Sequence, residues 1–292
     1  MNHPIPSSEL IINSDGSVFH LHMRPEHLAD RVILVGDPGR VELVSSYFDR
    51  IEASGANREF VWRTGLLHDV RLTVLSTGIG TDNIDIVMTE LDALVNVDFT
   101  TRTINRQKRR LHIVRLGTSG ALQPDLKVGD FVLSEISIGF DGLLNFYAGR
   151  DFVCDLKLEE VFIRHMEWSR LWAGPYFIHS SPLLNKLFGD FTLPGMTISA
   201  PGFYGPQGRV VRLALADPHM NEKIEAFRNE ERRITNYEME SSALAGLAAL
   251  LGHEATTICT IIAQRIKGES DPDYQPFVTR MIEETLKRLI HS

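Results

Sequence analysis

Twice the chain runs from a short apolar segment through a glycine-bearing turn straight into a helical pattern. These segments are RVILVGDPGRVELVSSYF from Arg31 and LTVLSTGIGTDNIDIVMTELDALV from Leu72. Val32 to Val35 is too short for a helix and lacks polar alternation, so it reads as a strand buried on both faces. Ile84, Val87, Leu91 and Leu94 recur at helical spacing and form an apolar stripe. A strand feeding directly into a helix is half of a βαβ unit, so the expected fold is α/β, a sheet covered by helices on both faces.

The remaining pattern extends that sheet. EFVWRTGLLHDVRLTVLS reads as a strand pair reversed around Gly65 and His68-Asp69. LHIVRLGTSGALQPDLKVGDFVLS reads as a strand, a glycine turn and a strand beginning near Asp130. Residues 151–172 carry helical periodicity, with Val161, Phe162, His165 and Met166 on one side. GMTISA is a short strand entering the Gly/Pro loop PGFYGPQGR, and ATTICTIIAQR is another strand. NYEMESSALAGLAALLGHE reads as a helix ended by Gly252, and PFVTRMIEETLKRLI as the last helix. The 292 residues then suit one domain over 18–292, preceded by a flexible arm over 1–17, with 98–110 as a surface insertion.

Composition removes several functional classes. A net charge of −8 disfavours nucleic acid, which needs a broad basic face. The one basic run, Arg106, Lys108, Arg109 and Arg110, reads as a solvated loop. No apolar run reaches the ~18 residues of a membrane span, and the N-terminus has no signal-like apolar stretch. Cys154 and Cys259 form no C-x-x-C and join no metal-spaced cluster, so a reducing, cytoplasmic location is expected and no metal.

In open α/β sheets ligands bind beyond the carboxyl ends of strands, and four such ends carry unusual polar residues. Gly36-Asp37-Pro38-Gly39-Arg40 is either a plain turn with a solvated arginine or an anion-facing one. Ser76-Thr77-Gly78-Ile79-Gly80 lacks both the dinucleotide and the P-loop pattern, which favours a close-packed turn. Arg115 stands inside the apolar run HIVRLG, where it must reach solvent at an edge or meet an anion; the donors of Thr118 and the following glycines favour the anion. In NYEMES, Thr235 and Glu238 fit a capping box, which leaves Glu240 as a carboxylate seeking donors such as a sugar diol. Met239 could pack on the apolar face of that sugar or lie in the core.

From residue 18 onward these stretches fall in a fixed order: VFHL, GDPGRVE, NREF, STGIG, VRLGTSGALQP, VGD, FYGPQGR, VVR, NYEMES and the strand end QR. In that order they resemble the nucleoside phosphorylase superfamily, and within it the uridine phosphorylases. The resemblance implies a three-layer α/β/α domain with a mixed, partly barrel-like central sheet. It implies phosphate binding by Gly36, Arg40, Arg115 and Thr118, with Arg58 lent by a neighbouring subunit. Met239 and Glu240, with Glu238 in the same motif, match ribose contacts, and His20 matches a histidine reaching the ribose 5′ end across that interface. Phe203, Gln207 and Arg209 match the base-recognition set, and the resemblance assigns catalysis to Gln207 and Arg209 with Arg40 and Arg115. Glu59, Ile79 and Asn83 stand where some relatives hold a monovalent cation, although serine is usual at 83. The resemblance implies no cofactor; inorganic phosphate is a co-substrate. It implies a homo-oligomer, at least a dimer and in this family a hexamer of three dimers.

The implied reaction is phosphorolysis of uridine to uracil and ribose 1-phosphate. A uracil edge presents O2, N3–H and O4, which a glutamine amide and an arginine can match, while a phenylalanine stacks on the ring. The purine branch is expected to carry a Ser-Asp pair after the strand TIIAQRI, where this chain has Ala263-Gln264. The family loop commonly reads FYPGQ, and here Gly205 and Pro206 exchange places. The competing readings are a purine phosphorylase, a nucleoside hydrolase and a non-catalytic nucleoside-binding protein.

Overall fold

The computed structural model describes residues 3–291. The two residues that start the expected arm, and Ser292, lie outside the described residues. Strands of four residues or more are β1 Arg31–Val35, β2 Arg50–Asn57, β3 Phe60–Leu67, β4 Val70–Ser76, β5 His112–Ala121, β6 Phe131–Gly139, β7 Tyr176–His179, β8 Leu193–Ser199, β9 Arg232–Glu238 and β10 Glu254–Gln264. The longer helices are α1 Pro38–Ser45, α2 Thr81–Asn96, α3 Leu156–Met166, α4 Pro182–Phe188, α5 Met220–Ala226, α6 Ser241–Leu251 and α7 Gln275–Leu289.

β1 lies between β4 and β5 and is parallel to both. β5 pairs with β10, β10 with β6, β6 with β8 and β8 with β9. β9 then returns antiparallel to β5, Asn236 facing Ala121 and Tyr237 facing Gly120, so five strands close into a small barrel. β1, β4, β3 and β2 extend from it as an open wing. Register shifts in β10 between Ile261 and Ala263 and in β8 near Met196 supply the local bends that closure needs. The sheet is therefore mixed and partly barrel-like, as the resemblance implies.

The apolar run of β1 explains the layering. Its alternating side chains put Val32 and Leu34 in the core shared with α2 and α6, and Ile33 and Val35 in the core shared with α1 and α7. All four are fully buried, each worth roughly 1.5–3 kcal/mol by transfer. A third core surrounds Phe162 between α3, α5 and the far side of the barrel.

Local readings change where tertiary pairing outweighs pattern. The expected helix from Asn236 begins only at Ser241, because residues 232–238 pair with β8 and close the barrel. Thr235 therefore donates to the Met196 carbonyl at 3.0 Å instead of capping. Gly65 is not a reversal but the middle of β3, where an added Cβ would sit 2.3 Å from the Arg50 carbonyl oxygen. The turn is His68-Asp69 alone, with φ of 47° and 63°, the two left-handed positions of a tight hairpin. Between 151 and 172 the helix proper starts after Asp155, which caps the Leu158 N–H. Leu158, Phe162 and Met166, at i, i+4 and i+8, form its buried face, whereas Val161 and His165 point outward.

The 98–110 segment opens as a small hairpin, Val97–Asp98 with Thr103–Ile104. Arg102 at its tip donates to the carbonyls of Ile5, Pro6 and Leu10, so residues 5–10 lie against it. Within the basic run Arg109 pairs with Asp30 and Arg110 with Glu254, both on the surface. Among the described residues no helix is long and apolar enough to cross a membrane.

Candidate active site

A cavity of about 650 Å³ opens beyond the carboxyl ends of β1, β4, β5, β9 and β10, under the loop that follows β8. Gly36, Arg40, Arg115, Thr118, Phe203, Gln207, Arg209, Glu238, Met239 and Glu240 all line it. A larger cavity of about 790 Å³ lies behind the same loop, walled by Trp168, Trp172, Val211 and Leu213. The groups able to bind an anion, a diol and a base edge converge in the smaller one.

Arg115 is buried beside the cavity, and it neither reaches solvent at a sheet edge nor stands unpaired within its own chain. Its guanidinium lies between two carboxylates of its own chain, 3.3 Å from Glu238 and in contact with Glu240. That third option was invisible in the sequence because the partners lie more than a hundred residues away. Two acids around one cation hold the guanidinium proton more firmly than usual, against its burial. Glu240 is pushed up by burial, with the Arg115 attraction opposing and the neighbouring Glu238 adding to the rise. Glycine at 117 leaves room for the guanidinium in this position: a Cβ there would lie 2.4 Å from Arg115 Nη1.

Arg40 leaves the turn after β1 and enters the same space. Asp37 caps Gly39 N–H at 2.9 Å, so the turn itself is self-sufficient, as its plain reading had it. Arg40 Nη1 donates to the Leu116 carbonyl at 3.1 Å. Burial pulls its pKa down, and the nearby Arg115 cation pulls it further. Two arginines lining the same cavity, with Thr118 half-exposed among the lining residues, make it receptive to an anion.

The two glutamates divide their work. Glu238 accepts from Ser199 Oγ at 2.5 Å, Ser241 Oγ at 2.8 Å and the N–H groups of Glu240 and Ser241, which caps α6 from the end of β9. Its acceptors are spent on the strand–helix junction. Glu240 accepts from Gly80 N–H at 2.8 Å with one oxygen and from Arg115 with the other. The STGIG turn thus donates to this carboxylate, while Ile79 within it is exposed. Met239 is half-buried and faces the cavity.

In the same cavity the loop after β8 stacks its own recognition groups. The Arg209 guanidinium lies 3.7 Å from the Phe203 ring centroid and donates to the Phe203 carbonyl and the Gln207 amide oxygen. Burial, and after it the nearby Arg265, draw Arg209 down to about 10. Exchange of Gly205 and Pro206 is accommodated because the proline lies in the first turn of the short 3-10 helix Gly205–Gln207. Arg265, which sequence reasoning did not place in the site, lines the cavity and donates to the Gln207 carbonyl at 2.8 Å. Its signal was an arginine directly after a buried strand, at the strand end QR. Gln264 donates to the carbonyls of Gln123 and Leu126 and accepts from Ile266 N–H, so it fastens the barrel rim.

Two expected site residues do not line the cavity of their own chain. Arg58 is exposed at a left-handed turn with φ of 55°, and His20 lies against Glu90. The fold nevertheless brings them together, because Asn57, next to Arg58, donates to the His20 carbonyl at 2.8 Å. Of the cation trio, Asn83 donates its amide to Glu59 at 3.2 Å and Ile79 is exposed.

Comparison with known proteins places the chain among phosphorylases. The chain is 29% identical to a uridine phosphorylase of Thermococcus kodakarensis over 271 residues, covering 90% of this chain and 83% of that one. It is 28% identical to the uridine phosphorylase of Escherichia coli, covering 95% of this chain and all of that one. A Trypanosoma brucei nucleoside phosphorylase showing uridine phosphorylase activity superposes with a TM-score of 0.88 at 29% identity, over 97% of this chain and all of that one. The family model described as the phosphorylase superfamily matches residues 30–292, and with the closed barrel and the cavity at its rim the chain belongs to that superfamily.

Proposed function

We propose that this protein is a uridine phosphorylase, catalysing the reversible phosphorolysis of uridine to uracil and ribose 1-phosphate with inorganic phosphate as co-substrate and no cofactor. The observation that carries the reading is that one cavity is lined by Arg40 and Arg115, by Glu240, and by Gln207, Arg209 and Phe203. Similarity to uridine phosphorylases supports it. So does Ala263-Gln264 in place of the Ser-Asp pair expected of the purine branch.

In this mechanism phosphate lies against Arg40, Arg115, Thr118 and Gly36 and attacks C1′. The C1′–N1 bond breaks and its electron pair leaves with uracil. Positive charge grows on the ribose, whose hydroxyls Glu240 holds and whose apolar face meets Met239. Negative charge grows on the base, where the Gln207 amide and the Arg209 guanidinium receive it while Phe203 stacks on the ring. Arg209 is held charged at a desolvation cost, so a developing anion beside it is more strongly stabilised than in water.

The site is shared between copies of the chain. Within one chain the charge of Arg115 is already engaged by Glu238 and Glu240, which leaves Arg40 as the cation beside the phosphate without a carboxylate partner among the described residues, one positive charge for a phosphate dianion. Arg58, exposed and adjacent to His20, is placed to supply another to a second copy. The minimum unit is a dimer, and three such dimers make a hexamer. The test is release of uracil from uridine with and without inorganic phosphate, with inosine in parallel. Phosphate-dependent uracil with little hypoxanthine is expected. Phosphate-independent release would mean a hydrolase, preference for inosine a purine enzyme, and uridine binding without product a binding protein.

A further inference from the structure

We propose that Glu90 is a positioning residue for the ribose 5′-hydroxyl, acting through His20. This rests on the reading of the site as a uridine phosphorylase shared between copies. Glu90 is buried in the middle of α2, and its carboxylate is filled by one short segment of chain. It accepts from His20 N–H at 3.0 Å, from Leu21 N–H at 2.8 Å and from the ring Nδ1 of His20 at 2.7 Å. Structural anchoring alone would need only the two backbone bonds; the third reaches a ring that is otherwise partly open, its side chain 29% exposed.

A carboxylate can only accept, so the bond requires the proton on Nδ1. In the neutral ring Nε2 is then the free acceptor, directed away from Glu90. A 5′-hydroxyl is a matching donor. Three further contacts fix the ring: Phe19 and Phe60 meet it edge-on at 4.9 and 6.5 Å, and Asn57 holds the His20 carbonyl at 2.8 Å. Glu90 stands nine residues beyond Thr81, hence about 14 Å along the helix axis. Through α2 one rigid element therefore contacts Glu240 at its amino end, by way of Gly80, and sets the histidine offered to a second copy further along.

The experiment compares kcat/KM for uridine and 5′-deoxyuridine in the wild type, in His20→Ala and in Glu90→Gln. The wild type is expected to prefer uridine by about three- to tenfold, the range of one hydrogen bond. A glutamine presents an amide N–H to the ring and permits the other tautomer, so Glu90→Gln should bring the ratio close to that of His20→Ala while leaving 5′-deoxyuridine turnover nearly unchanged. Nitrogen NMR of the His20 ring should show Nδ1–H in the wild type and loss of that tautomer in Glu90→Gln. If the glutamine variant does not fold, Glu90→Asp, which withdraws the carboxylate, should lower the ratio part of the way. Equal loss on both substrates, an unchanged ratio or an unchanged tautomer overturns the proposal. A wild type that turns over both nucleosides without preference overturns the roles of His20 and Glu90 alone, whereas one that turns over neither overturns the uridine reading as well.

Discussion

Gly117→Ala should weaken phosphate binding while leaving the fold almost intact. The new Cβ would lie 2.4 Å from Arg115 Nη1, 3.2 Å from its Cζ and 3.0 Å from Cys259 Sγ. Position 117 lies within extended strand β5, so the backbone itself accepts alanine. The main obstacle is the far end of a long side chain, which can pivot at little cost while keeping its attraction to Glu238 and Glu240. Overpacking of this kind usually costs ~1–3 kcal/mol, and a yielding neighbour puts this case at the low end. The loss falls on geometry instead, because the guanidinium is displaced from its present place in the cavity wall. Losing one hydrogen bond to a charged ligand is worth ~1.5–3 kcal/mol, or about 10- to 150-fold in affinity. The assay is initial rate against phosphate at saturating uridine, with thermal unfolding in parallel. A folded variant whose phosphate KM stays within about twofold of the wild type would refute the reasoning, since one hydrogen bond is worth more than that. A rise confined to the uridine KM would move Arg115 away from the phosphate.

Three further outcomes follow from the same geometry. Arg209→Ala should lower kcat/KM for uridine by about 10²- to 10³-fold, the effect of removing one donor to a developing anion, with little change in phosphate KM; near wild-type turnover would remove Arg209 from base recognition. Glu240 has its pKa raised by burial, and the ionised form is the one that accepts from ribose hydroxyls, so uridine affinity should fall as pH drops while still above the ordinary glutamate range of about 4.5. Calorimetric titration of uridine without phosphate isolates this effect, and an affinity flat down to about pH 4.5 would contradict it. Finally, mixing refolded Arg58→Ala and Glu240→Ala chains should restore about a quarter of wild-type activity if the site is shared in a two-fold dimer, because half the dimers are mixed and each of those has one intact site. No recovery on mixing would place Arg58 in its own chain's site or in none.

Much of the site was legible because its residues stand at strand ends, and strand ends are marked locally. VILV before GDPGR, and an arginine inside HIVRLG, are anomalies that short-range chemistry alone exposes. Gly36, Arg40, Thr118, Glu240 and Arg209 were selected in this way or through the ordered motifs that carry the resemblance, and all reach one cavity. What Arg115 pairs with was not legible. Its partners Glu238 and Glu240 come to it only because β9 closes the barrel onto β5, a contact between segments more than a hundred residues apart. The same closure converts the first residues of an apparent helix into strand and turns Glu238 from a capping-box member into the cap of a helix that starts later. Local pattern reports which face of an element is apolar and where an element ends. Which strand lies beside which, and so which buried charge finds its opposite, is settled by the pairing energy of the whole sheet, to which distant residues contribute as much as near ones.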